Sequence, residues 1–212
     1  MNLLGAMAFG IVHGVRHTFE PDHLAAVSVL VSNSRGVRRS IGLGALWGLG
    51  HTLSLTVVCL GLVLVDAQLP ASVDAVFTLL VGILLVLLGG RALLLARREQ
   101  IRSDATHPHA HDHPHRSVRS PLQAFVVGTI HGMAGSGAIT ALAVAGMPSP
   151  LTKVGFVIVF GLASTVGMAT VSALAGVTFA RVARPWIARL LGAVVGALSI
   201  MIGIVTIAGV FH

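Results

Sequence analysis

Apolar residues gather into six long runs along the chain, at approximately 3 to 31, 41 to 65, 73 to 96, 122 to 145, 154 to 180 and 186 to 211. A hydrocarbon core ~30 Å thick needs about 20 mostly apolar helical residues, so each run is long enough to cross a bilayer as an α-helix. The pattern predicts an all-α polytopic membrane protein with six transmembrane helices. The first run is unusual, because the polar octet "RHTFEPDH", residues 16 to 23, interrupts it. The apolar pieces on either side are each too short to cross alone.

The two halves of the pattern match. "GIVHG" (10 to 14) aligns with "GTIHG" (128 to 132), "WGLGHTLSL" (47 to 55) with "FGLASTVGM" (160 to 168), and "VGILLVLLGG" (81 to 90) with "VGALSIMIGI" (195 to 204). Near-constant offsets point to an internal repeat. Three spans per repeat is an odd number, so the second repeat must cross in the opposite sense. The expected organisation is two inverted three-helix repeats, residues 1–96 and 121–212, with a His-rich loop at 97–120 between them; transporters of this plan carry their sites near the midplane. The counterpart of the first run, Leu122 to Ala145, has no charged residue and is long enough to span. The first run is therefore expected to cross as well.

Composition narrows the class. The 212 residues are 55% hydrophobic and 10% charged, with a mean hydropathy of +0.91, which excludes an ordinary soluble domain. Net charge is +7, but the basic residues sit in links rather than on a face with interleaved aromatics, so no nucleic-acid partner is expected. Arg35, Arg38 and Arg39 follow the first run, Arg181, Arg184 and Arg189 flank the start of the sixth, and six more lie between Arg91 and Arg119. The link with Asp66 and Asp74 has no positive residue. This alternation puts the 97–120 loop in the cytosol and both termini outside a prokaryotic plasma (inner) membrane. "MNLLGAMAFG" lacks the charged start of a signal peptide and is read as mature protein. Cys59 is the single cysteine, so neither a disulfide nor a CxxC site can form within one chain.

Charge inside an apolar run needs a reason. An Asp, Lys or Arg at a helix centre costs about 2.5 to 3.5 kcal/mol on insertion scales, and Arg16, Glu20 and Asp22 share one short stretch. On an ideal helix His13, His17 and Glu20 share a face, whereas Asp22 and His23 project about 140° and 240° away from His17. Pro21 resolves the conflict: without an N–H it frees the carbonyl of His17 and disfavours helix at Glu20. A straight helix from Leu3 to Val31 would be ~43 Å long. A broken helix is expected instead, with side chains and freed carbonyls converging on a cavity. His51 and His131 fall near the middle of their runs, at the depth of His17. Imidazole with carboxylate suits Ni²⁺, Co²⁺ or Zn²⁺ better than Mg²⁺ or Ca²⁺. The candidate metal residues are therefore His13, His17, Glu20, Asp22, His23, His51 and His131. Arg16 is either a counter-ion to Glu20 or Asp22 or a further member of the site.

"RHTFEPDH" resembles the Arg-His-Ala-x-Asp-Ala-Asp-His signature of the nickel/cobalt transporter family, with Glu20 in place of its first aspartate. Followed by "LAAVS", it is most similar to that family's short six-span, urease-accessory UreH-like branch. "LWGLGHTLS" is similar to the second family motif and "HGMAGSGA" to the segment opening the second half. The resemblance implies that His17, Asp22, His23 and His51 are required for metal recognition. It implies a transporter of Ni²⁺ or Co²⁺ with no bound cofactor and no enzymatic activity.

Direction is read from the membrane potential. An inward-moving divalent ion gains about 4.6 kcal/mol at 100 mV, which favours uptake. Proton-coupled efflux is the alternative, as is a non-transporting partner of urease or hydrogenase maturation proteins. "HPHAHDHPH" (107 to 115) reads as a weak multivalent metal binder or a solvated linker. Thiol-reductant transporters of the DsbD/CcdA type also have two three-span halves but need paired cysteines. An intramembrane metalloprotease would need HExxH, which the chain lacks.

Overall fold

A computed structural model describes residues 1–32, 34, 36–64, 70–104, 120–132, 140, 144, 146–181 and 185–211. Helix α1 (Leu3–Thr18) is capped by Asn2, whose side chain accepts the Gly5 N–H at 2.8 Å. Helix α2 (Pro21–Val31) follows after a break at Phe19 and Glu20. Helix α3 (Val37–Leu64) comes after Gly36, whose φ of 100° lies in the region only glycine adopts cheaply. Helix α4 (Ala71–Asp104) follows Pro70, and α5 (Pro121–His131), α6 (Pro150–Arg181) and α7 (Pro185–Gly209) each open on proline. The first helical turn has no use for that N–H, so proline there costs nothing. Ser120 and Gln123 add a reciprocal capping box, at 3.1 and 3.2 Å.

Among the described residues there is no strand, and four helical stretches are long and apolar enough to cross a membrane: Val37–Leu62, Ala71–Arg98, Pro150–Arg181 and Arg189–Gly209. The first apolar run is two helices of 16 and 11 residues, each shorter than a span. The fourth is a helix as far as His131. α4 continues to Asp104, so the opening of the expected 97–120 loop is helical; the histidine tract at 107–115 lies outside the described residues.

The interior is organised around α2. Its Ala25, Ala26, Val27, Leu30 and Val31 are buried with Leu43 and Trp47 of α3, Leu85 of α4 and Met168 of α6. Around it α4 packs along α7, α3 along α6, α1 against α6 and α5 against α3. Outward faces carry apolar side chains such as Leu53, Val57, Leu87, Leu162, Val166 and Val205. Lipid is as apolar as those side chains, so helix association relies on close packing and small residues. On α4 and α7, a Cβ added to Gly82 would meet the Gly203 carbonyl at 2.9 Å, and one on Gly196 would meet the Gly89 carbonyl at 2.9 Å. On α3 and α6, a Cβ on Gly48 would meet Thr165, and one on Gly161 would meet Thr52. Both contacts order the paired helices antiparallel.

Candidate metal centre

The break in the first run builds the site. Phe19 N–H donates to the Arg16 carbonyl at 3.0 Å and Glu20 N–H to that of His17 at 3.1 Å, closing α1 with tight turns. Glu20 N–H thus takes the His17 carbonyl that Pro21 leaves without its helical partner. Glu20 then adopts extended backbone (ψ 141°) as N-cap of α2, with Pro21 first in the helix. The turn redirects the chain, so His23 packs back against His17 while Asp22 turns to His131.

Six of the seven candidate residues meet here. His17 Nε2 and His51 Nε2 lie 2.8 Å apart. His23 packs edge-on to both rings, at centroid distances of 4.3 and 5.0 Å. Asp22 bridges the other side, with Oδ2 2.9 Å from His131 Nε2 and Oδ1 3.2 Å from His23 Nδ1. Glu20 Oε1 lies 3.2 Å from His17 Nδ1. Two sets of potential ligands result, His17–His23–His51 and Asp22–His23–His131, each with donor atoms within 4.8 Å of one another. His23 belongs to both.

Burial is graded across the group. The four histidines are 1% exposed, whereas Glu20 and Asp22 are 34% and 27% exposed, so the carboxylates form its open side. Nδ1 of His17 and of His23 each face a carboxylate at 3.2 Å, whereas His23 Nε2 and Nδ1 of His51 and His131 are buried with no polar partner among the described residues. Each such group forgoes solvation worth roughly 1–3 kcal/mol. Three unpartnered imidazole nitrogens beside two carboxylates are costly in a pure packing role and well suited to a cation. The C-terminal ends of α1 and α5, at Thr18 and His131, both arrive here, and their negative dipole ends favour positive charge.

Two expectations take a different form. His13 is not in either ligand set; it stacks on Phe9 at 5.6 Å and leans on Phe156 and Phe160 of α6. Arg16 is exposed, and among the described residues the nearby carboxylates pair with histidines rather than with it. Trp47 joins the group, a place that its apolar surroundings in the sequence do not announce. Its indole packs on His23 at 5.3 Å and on His131 at 5.6 Å, roofing the cluster. Its signal was the four-residue spacing to His51, which places both on one face of α3.

Residues 49–205 match the family described as cytochrome C biogenesis protein transmembrane region. The chain is 30% identical, over 87% of its length and 82% of the relative's, to the urease accessory protein UreH of Bacillus sp. (strain TB-90). The chain belongs to this transmembrane family, in a UreH-like branch. It is also 28% and 26% identical to the chloroplast proteins FOR GROWTH AND FERTILITY 1 and 2 of Arabidopsis thaliana, over 79% of its length in each case. It spans about half of those plant proteins, 48% and 46%. No solved structure matches. The UreH-like chain is thus a multi-pass membrane protein, and none of these relatives is named as an enzyme. The matched family is the scaffold of the redox rival, but a lone, buried Cys59 cannot cycle a disulfide within the chain.

Proposed function

We propose that this UreH-like protein carries Ni²⁺ or Co²⁺ across the membrane, inward, through the histidine–carboxylate cluster. The observation that carries the reading is the convergence of His17, His23, His51, His131 and Asp22 from four helices, with His23 Nε2 and Nδ1 of His51 and His131 buried and without a partner among the described residues. With bonds of ~2.0–2.1 Å, neighbouring ligands of a tetrahedral ion lie about 3.3 Å apart and those at right angles about 2.9 Å. His17 Nε2 and His51 Nε2, hydrogen-bonded at 2.8 Å, need only a small shift to reach either spacing, and imidazole with carboxylate suits Ni²⁺ and Co²⁺. Glu20 and Asp22 at the open side attract the dication and hand it to the imidazoles.

Packing supports a six-span transporter of two inverted repeats. In the sequence alignment Gly48 corresponds to Gly161, Thr52 to Thr165, Gly82 to Gly196 and Gly89 to Gly203. The contacts obey the same exchange: Gly48 meets Thr165 while Gly161 meets Thr52, and Gly82 meets Gly203 while Gly196 meets Gly89. Thr52 bonds its own mate, Thr165, at 3.0 Å. Reciprocal contacts of this kind are what a two-fold axis produces, and antiparallel mates put that axis across the helices, in the membrane plane. His131 on Trp47 and His13 on Phe160, both at 5.6 Å, are a further exchanged pair.

The name of the bacterial relative favours a second reading, a non-transporting accessory that passes metal to urease or hydrogenase maturation proteins. Proteoliposomes containing this protein alone, with a trapped metal indicator, separate the two. Metal should enter faster with the interior negative, and His17→Ala or Asp22→Asn should lower the rate at least about a hundredfold with insertion unchanged. No flux from the wild type would favour the accessory reading. Flux that needs an opposing proton gradient would reverse the direction, and undiminished flux in both variants would remove the site.

A further inference from the structure

A second polar feature lies away from the histidines, where α4 and α7 reach the membrane boundary. One apolar span ends at Arg98 and the antiparallel one begins at Arg189. Between them is a cavity of about 410 Å³ lined by Leu93, Ala96 and Arg97 of α4 and by Trp186, Arg189, Leu190 and Ala193 of α7. Arg189 is half-buried, and its Nη1 is buried without a hydrogen bond among the described residues. Arg97 is exposed, and among those residues neither arginine forms an ion pair.

Each wall of the cavity has its own chemistry. Two arginines in its lining offer the planar forks that match phosphate oxygens. The aliphatic wall of Leu93, Ala96, Leu190 and Ala193 continues toward the apolar part of both helices. Trp186 at the mouth has the amphipathic ring that favours the headgroup level. The space is ample for a phosphate and its glycerol. A free anion would leave the aliphatic wall unused, and a zwitterionic lipid would bring an ammonium group beside two arginines. We infer that this pocket holds the phosphate of an anionic phospholipid, gripped by Arg97 and Arg189, with its glycerol and first methylenes along the aliphatic wall. By the positive-inside reading this is the cytosolic leaflet, where anionic lipids meet basic pockets between helices.

The test uses the full chain purified in detergent and native mass spectrometry. It is exposed in turn to phosphatidylglycerol, to phosphatidylcholine of the same acyl chains, and to inorganic phosphate. Wild type should retain phosphatidylglycerol, and the double variant Arg97→Gln/Arg189→Gln should retain roughly tenfold less or lower. Leu190→Trp keeps both charges but fills the aliphatic wall, and should also release the lipid. It decides the matter if the double variant loses helicity. Equal retention of the two lipids by the wild type overturns the inference, as does phosphatidylglycerol retained undiminished by folded variants. Inorganic phosphate displacing the lipid at matched concentration would make the pocket a free-anion site instead.

Discussion

Each histidine in the cluster depends on a neighbour that the local sequence does not reveal. Trp47 touches His23 and His131, so its fluorescence should report metal arriving at those rings. The chain has two tryptophans, and in a Trp186→Phe background the emission is that of Trp47 alone. Titration with Ni²⁺ or Co²⁺ should quench it, and His131→Ala should shift the titration to at least about tenfold higher metal, as expected for loss of a ligand or its orienting partner. His13→Ala should leave the curve in place, since His13 stands among Phe9, Phe156 and Phe160. A shift with His13→Ala and none with His131→Ala would put the centre elsewhere.

Among the helices, position is set by how closely two backbones approach. A Cβ at Gly128 of α5 would strike the carbonyl of Trp47, and one at Gly132 that of His51. α5 can bring His131 to the cluster because both positions lack a side chain. Gly128→Ala should lower thermal stability in detergent by about 1–3 kcal/mol and weaken metal binding with it. Gly42, on α3, has nothing within 4 Å of its Cβ position. Gly42→Ala should be neutral or stabilising by up to ~1 kcal/mol, because alanine holds a helix better than glycine. The proline starts at 21, 121, 150 and 185 and the capping pair Ser120–Gln123 belong to this scale too. They are local signals, which is why helix starts could be read from sequence while the contacts between helices could not.

For the molecule as a whole, the antiparallel pairing of α3 with α6 is the feature most open to test. Thr52 and Thr165 hydroxyls lie 3.0 Å apart, and near the other end of the pair a Cβ at Gly176 would meet Ser40. In a Cys59→Ala background, Thr52→Cys/Thr165→Cys and Ser40→Cys/Gly176→Cys should each form an intramolecular disulfide on mild oxidation, since both pairs are in contact across the helices, although the second needs them to ease apart by about 1 Å, an added Gly176 Cβ lying 2.5 Å from that of Ser40. Thr52→Cys/Thr178→Cys should not. A parallel pairing could satisfy one of the first two but not both, because the matched positions run in opposite order along the two helices. Gel mobility before and after reduction reads the result.

The chain alone determined much of this protein. Apolar runs marked the four helical stretches long enough to cross a membrane, Pro21 marked the break, and the octet at 16 to 23 supplied imidazoles and carboxylates. These are properties of neighbouring residues, and proline, helical periodicity and span length act over a few turns. Only the tertiary structure decided who stands beside whom. Asp22 faces His131 across 109 positions and His17 faces His51 across 34, while Arg16, the arginine nearest in sequence to the carboxylates, is exposed. Such distances follow from which glycines let helices touch and how the turn at Glu20 aims α2, and a one-dimensional pattern does not contain them.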